Sequence, residues 1–186
     1  MLPLVAYLFF ASGVNNFAKL PVLKENVLSI SDYSKVDFNQ KISILFFLGS
    51  NIQDRQGDAL NMNQKIYKRF YDFEDFQFVV ICPLESEQLA DDLKNKLEMG
   101  TNTDMKKWNF VFLDNNVIQE VFNSLNTNTA LDQYSGSPYV YIVDKNRSLR
   151  GRNDDDGIKF GYDSRSVADI NNLSLIHISE PTRRYR

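Results

Sequence analysis

The stretch Ser137-Pro138-Tyr139-Val140-Tyr141-Ile142-Val143-Asp144-Lys145-Asn146 sets a proline at the head of an apolar run and a turn at its end. Proline has no N–H to donate, so it is tolerated at the first position of a strand and disrupts a strand's middle. Tyr139 to Val143 therefore reads as a strand. Asp144-Lys145-Asn146 supplies side chains that reverse the chain by bonding nearby backbone. Leu149 to Arg152 then returns antiparallel, as an edge strand.

Upstream, three further apolar runs alternate with helical patterns. Ile42 to Leu48 is almost continuously apolar, as expected of a strand covered on both faces. Gly49-Ser50-Asn51 breaks it. Ala59, Met62, Ile66 and Phe70 recur at steps of three and four, which puts them on one helix face. Phe76 to Cys82 is a second buried strand, closed by Pro83. Leu89, Leu93 and Leu97 mark a second helix with a charged outer face. Trp108 to Leu113 is a third strand, and Val117, Ile118, Val121, Phe122 and Leu125 form a third helix, with Asn116 as its cap and Gln119 three residues on. At the start, Leu20–Leu23 and Val27–Ile30 flank Lys24-Glu25-Asn26 and predict a β-hairpin. The order is a leading hairpin and then β-α-β-α-β-α-β-β. Such alternation implies an α/β domain with a mainly parallel sheet and helices on both faces. The closing hairpin narrows the expectation to a thioredoxin-like fold, with a central mixed sheet of four to five strands.

Composition excludes several function classes. The chain has 186 residues, enough for one domain with its own core. Its net charge of −3 shows no concentrated basic surface of the kind that displaces counterions from nucleic acid. One cysteine, Cys82, cannot form an intramolecular disulfide or run a dithiol cycle. One histidine, His177, rules out a zinc or copper site built from several His and Cys ligands. No cofactor and no metal are expected.

The pattern resembles the SCO/SenC group of thioredoxin-like proteins over about Phe17 to Arg152. Trp108-Asn109-Phe110-Val111-Phe112-Leu113 with its following helix, the Tyr-Ile-Val-Asp strand and the leading hairpin carry the likeness. The resemblance implies a role in cytochrome oxidase assembly, a cis Pro138 beside the active-site loop, a Cys-x-x-x-Cys after the first central strand, and a copper-binding His before the late strand. The alternative for Pro138 is a trans residue that simply opens its strand. The stretch matching the cysteine motif is Asn51-Ile52-Gln53-Asp54-Arg55-Gln56, and the histidine position falls at Gly136 or its neighbours. None of the family's ligands carries over. The expectation is a protein that keeps the scaffold, is not an enzyme, and acts by contact with another envelope protein rather than with nucleic acid.

Two stretches remain as candidate sites. Asn51, Gln53, Asp54, Arg55 and Gln56 occupy the loop between a strand end and a helix start, where a ligand or partner could bind; the alternative is a solvated loop. A small-molecule or peptide site there is the rival function, and a thiol-independent enzyme ranks third. Arg150, Arg152, Asp154, Asp155 and Asp156 form a charged run that reads as a partner patch or a solvated turn. Its spacing is not that of a Ca²⁺ loop.

The ends read differently. Leu2 to Ala11 is too short for a span, which needs about 20 residues, and suits a signal or lipoprotein-like segment over residues 1–16. The alternatives are a buried first strand or a truncated start. Export would place the protein in the cell envelope, periplasmic or membrane-anchored through its N-terminus, and otherwise it is cytoplasmic. The domain is expected over 17–170. Residues 171–186 fit no element and read as a non-native or truncated tail, so His177 carries no functional weight.

Overall fold

The computed structural model describes residues 20–154 and 157–175. The chain runs β1 (Val22–Lys24), β2 (Ile42–Phe47), α1, β3 (Phe76–Pro83), a 3-10 turn (Leu84–Ser86), α2 (Glu87–Thr101), β4 (Trp108–Leu113), α3 (Asn115–Ser124), β5 (Tyr139–Val143), β6 (Leu149–Arg150), β7 (Arg152–Asp154), β8 (Gly157–Lys159), β9 (Tyr162–Asp163) and α4 (Val167–Leu175). Helix α1 is α-helical over Gln56–Met62, π-helical over Asn63–Tyr67 and α-helical again over Lys68–Phe70. In the π turn Asn63 is buried, and its Nδ2 donates to the Leu97 carbonyl at 3.1 Å and to Thr101 Oγ1 at 2.9 Å.

The sheet order is β1-β6-β5-β2-β3-β4, with β9 added alongside β5. Strands β2, β3 and β4 are parallel, and β5 runs antiparallel to β2. This is the mixed sheet flanked by helices of a thioredoxin-like fold. Its centre is the four long strands β2 to β5, and among the described residues the short pieces β1, β6 and β9, of two or three residues with too little periodicity to read, bring the sheet to seven. Alternate residues of β2 and β3 serve two cores. Ile44, Phe46, Phe78, Val80 and Cys82 pack with α1, α2 and α4 on one face. Leu45, Phe47, Val79 and Ile81 pack with α3 on the other, joined by Val27, Ile30 and Phe38. Burial on both faces accounts for the nearly continuous apolar runs.

The leading hairpin does not form. β1 pairs antiparallel with β6, and Val27–Ile30 is not a strand. Asn26 takes a left-handed turn, φ 57°, and Val27 N–H donates to the Arg147 carbonyl at 2.8 Å. Val27 and Ile30 were apolar because they plug the second core. β6, expected as an edge strand, is not one, since β1 pairs along its outer side. In α2 the buried stripe is Ala90, Leu93 and Leu97, while Leu89 is exposed. Steps of three and four hold one face of a 3.6-residue helix better than two steps of four. Helix α3 begins two residues earlier than expected, with Asp114 rather than Asn116 at the cap position and no side-chain cap bond.

All described peptide bonds are trans, Ser137–Pro138 included. The expected cis Pro138 is therefore corrected. Ser137 N–H already donates to the Phe47 carbonyl at 2.8 Å, so extended pairing runs straight through the proline, as the backbone before a proline prefers. Pro138 still caps the site end of β5, its carbonyl accepting from Ser164 N–H and Oγ.

Helix α4 continues past residue 170, and Leu173 is buried against α1, so the folded unit extends beyond the boundary expected from sequence. The N-terminal segment 1–16, His177 and the remaining tail lie outside the described residues. Among the described residues no helix is long and apolar enough to cross a membrane.

Candidate functional site

Strand β2 delivers the chain to Gly49 at the end of the sheet where thioredoxin-like folds hold their chemistry. Gly49 has φ 73°, and a Cβ there would lie 2.5 Å from the Tyr134 carbonyl oxygen. Only glycine fits both the backbone and the space. Ser50 N–H then donates to the Tyr134 carbonyl at 2.9 Å, which staples the 49–56 loop to the loop before β5. The two stretches that sequence assigned to the cysteine motif and the histidine position are thereby brought together.

Arg55 occupies the junction. Its Nη2 donates to Asp132 Oδ2 at 2.5 Å, and its Nη1 lies 4.0 Å from Asp58 Oδ2. The Arg55 side chain is only 14% exposed, so the guanidinium fills the loop instead of reaching into solvent. Gly136 makes room for it: a Cβ at 136 would sit 2.8 Å from Arg55 Nε. Asp132 is held from the other side by the amides of Tyr134 (2.8 Å) and Gly136 (2.9 Å), both donating to Oδ1. Burial pushes the Asp132 pKa up, but the Gly136 and Tyr134 amides and Arg55 outweigh it and hold the carboxyl below its ordinary value.

The other candidates take lesser roles. Asn51 Nδ2 donates to Asp54 Oδ2 at 2.6 Å, closing the loop on itself. Gln53 and Asp54 are exposed. Gln56 Oε1 accepts from Lys96 Nζ at 3.0 Å, tying the start of α1 to α2. The groove between these helices, lined in part by Gln53, Gln56 and Leu89, encloses about 40 Å³. Small-molecule sites usually enclose several hundred.

The sequence did not flag Asp132, Asp58 or the pair Asp163–Arg165, which completes the cluster. Arg165 Nε and Nη2 donate to Asp163 Oδ1 and Oδ2 at 2.9 and 2.8 Å. That bond holds the Asp163 carboxyl below its ordinary pKa. Asp58 is the exception: burial raises it, Arg55 and Arg165 offset only part of this, and the Asp163 charge adds to the rise. The Asp-x-x-x-Gly spacing of Asp132 and Gly136 was a usable sign of a side-chain-built turn.

The charged run downstream splits apart. Arg150 donates to Asp144 at 2.7 Å through Nε and to the Leu20 carbonyl at 2.9 Å through Nη1, so it braces the β5–β6 turn and the N-terminal edge. Arg152 bonds Asp169 of α4 and lies over the Tyr162 ring. Asp154 pairs through its backbone with Gly157. Asp155 and Asp156 lie outside the described residues.

Copper does not fit these residues. The matching positions carry amides, a carboxylate and glycine in place of sulfur and imidazole, and the fixed guanidinium of Arg55 opposes a second cation. Cys82 is fully buried in β3, and burial pushes its thiol pKa far above its ordinary value. Among the described residues no three His, Cys, Asp or Glu side chains gather into a metal-binding group.

The architecture and the position of this loop define a thioredoxin-like α/β protein. Its fold is shared with solved Sco-family structures. BsSco, a member of the Sco family of cytochrome c oxidase assembly proteins that has a disulfide switch, aligns with a TM-score of 0.53 at 12% identity, over 87% of this chain and 99% of its own. A SCO1/SenC family lipoprotein from Bacillus anthracis str. Ames aligns at 0.52 and 13% identity, over 85% and 95%. No family model matches the chain. No curated protein matches it in sequence.

Proposed function

We propose that this chain is a non-catalytic, SCO/SenC-like thioredoxin-fold protein of the cell envelope, an accessory that acts through protein contacts in respiratory-oxidase assembly. The observation that carries the reading is the Arg55–Asp132 ion pair seated in the loop where a redox or metal centre would lie. A guanidinium held by a carboxylate there supports binding work over electron or metal transfer. The oxidase setting comes from the Sco neighbours, one of them a lipoprotein, and agrees with an N-terminal segment suited to export. The partner is another envelope protein, and membrane association would run through the N-terminus.

The test has two arms. Purified protein is titrated with Cu(I) against a chromophoric chelator, and the expected result is no stoichiometric binding. In its native host, membranes are cross-linked and this protein is recovered, with oxidase subunits expected in the product. Stoichiometric Cu(I) binding overturns the ligand-loss reading. Recovery from the cytoplasmic fraction without oxidase subunits overturns the envelope role.

A further inference from the structure

We infer that the groove between α1 and α2 docks a basic segment of another protein, one that sets an apolar side chain beside lysine or arginine. The inference rests on the reading above for one point, that a protein partner exists. Ile52 and Leu93, each 2% exposed, form the floor of the groove, and Leu89, 36% exposed, forms a wall. Gln53 and Gln56 line it from the side of the candidate loop.

The α2 side of the groove is a stripe of its own. Leu89, Asp92, Leu93 and Lys96 stand at i, i+3, i+4 and i+7, the spacing of one helix face. The fold buries Leu93 and Leu97 and leaves Leu89 uncovered, so the apolar stripe runs one turn further than the core uses it. The enclosed space of about 40 Å³ takes the tip of one apolar side chain, which suits an anchor residue on a longer segment better than a free small molecule.

Charge decides what flanks the anchor. Asp92 lines the groove, and Glu85 lies one turn before Leu89. Both are exposed, and among the described residues neither side chain makes a hydrogen bond or an ion pair. Asp54, beside Gln53 on the loop, is exposed and accepts from a neutral donor, Asn51 Nδ2. Lys96, the cation of the lining, turns across the groove and donates to the neutral Gln56 Oε1 at 3.0 Å. Three carboxylates against one ammonium leave the rim negative, so a cationic segment is drawn in and an acidic one is turned away.

The test titrates the full isotope-labelled chain with the acetylated, amidated peptide Gly-Ser-Lys-Leu-Lys-Ser-Gly and follows its amide resonances. Shifts are expected at Gln53, Gln56, Leu89 and Leu93, and binding should weaken several-fold between about 0.02 M and about 0.3 M salt as the charges are screened. Glutamate in place of both peptide lysines, or serine in place of its leucine, should abolish the shifts. Glu85→Lys and Asp92→Lys, at exposed positions where folding survives, should each weaken binding several-fold. No shifts, shifts elsewhere on the surface, an equal response to the glutamate peptide, or undiminished binding by both variants overturns the proposal. Cross-linking in the native host separates it from the functional reading. If wild type and the double variant recover the same envelope partner equally, the reading stands and the groove is not its dock. If the peptide fills the groove and no envelope partner is recovered, the groove stands and the reading falls.

Discussion

Arg55 and Asp132, 77 positions apart, meet at 2.5 Å and lock the loop after β2 onto the loop before β5. Asp132 is the busier partner, since two amides share its other oxygen. Replacing it with alanine removes the ion pair and strands both amides, at a cost of about 1–3 kcal/mol. Asp132→Asn keeps an acceptor for the amides and loses only the pair. With the Asp132 side chain 38% exposed, that loss stays below about 1 kcal/mol. Urea denaturation of both variants checks this, and equal losses would shift the credit from the amides to the ion pair. The depressed Asp132 pKa means its contribution is present above the ordinary carboxyl value of 3.8 and fades as pH falls below it through the folded-state value.

Asp58 works in the opposite sense. Its carboxyl is raised in the folded protein, so on raising the pH the unfolded chain ionises first, from 3.8 upward. Stability is lost through that window, until the folded carboxyl has ionised too. Asp58→Asn has no such loss. The variant should gain on the wild type between pH 3 and pH 7, measured by denaturation at both ends. A gap that narrows with pH would show Arg55 and Arg165 to dominate after all.

Cys82 should be silent in the folded state. A thiol reagent that reacts with thiolates is expected to label it only as fast as the protein unfolds. Cys82→Ser puts a hydroxyl into an apolar core and should cost about 1–3 kcal/mol. Rapid labelling of native protein would contradict the burial.

Two glycines give a controlled comparison. Gly49→Ala forces a side chain into a left-handed conformation and against the Tyr134 carbonyl, so a loss of at least about 1–2 kcal/mol is expected. Gly57→Ala, inside α1 with open space around it, should gain up to about 1 kcal/mol through helix propensity. Thermal melts of the pair decide whether the loop or the helix start tolerates change.

The long strands were legible because two-sided burial writes itself as unbroken apolar runs, as in Ile42–Phe47 and Phe76–Cys82. The short ones were not. β1 and β9 owe their existence to partners far along the chain, Leu149–Arg150 and Tyr139–Val140, and no local pattern announces a two-residue pairing. Val27 and Ile30 misled for a related reason: an apolar residue signals burial, and burial under a loop looks the same in sequence as burial in a strand. The candidate loop was located through Gly49 and the Asn51–Gln56 stretch. Its chemistry stayed hidden, because Arg55 is explained by Asp132 and Gly136, and contacts across such separations leave no spacing to read.

The π turn in α1 carries a consequence for how this gene can change in length. A π turn holds one residue more than an α turn, so losing Gln64 or Lys65 would return the coil to regular α geometry while the residues after it keep their faces and Phe70 keeps its place against Phe76. The same deletion in the α-helical stretch before it would swing everything that follows by about 100°. A one-residue deletion should therefore pass at this turn and nowhere else in the helix.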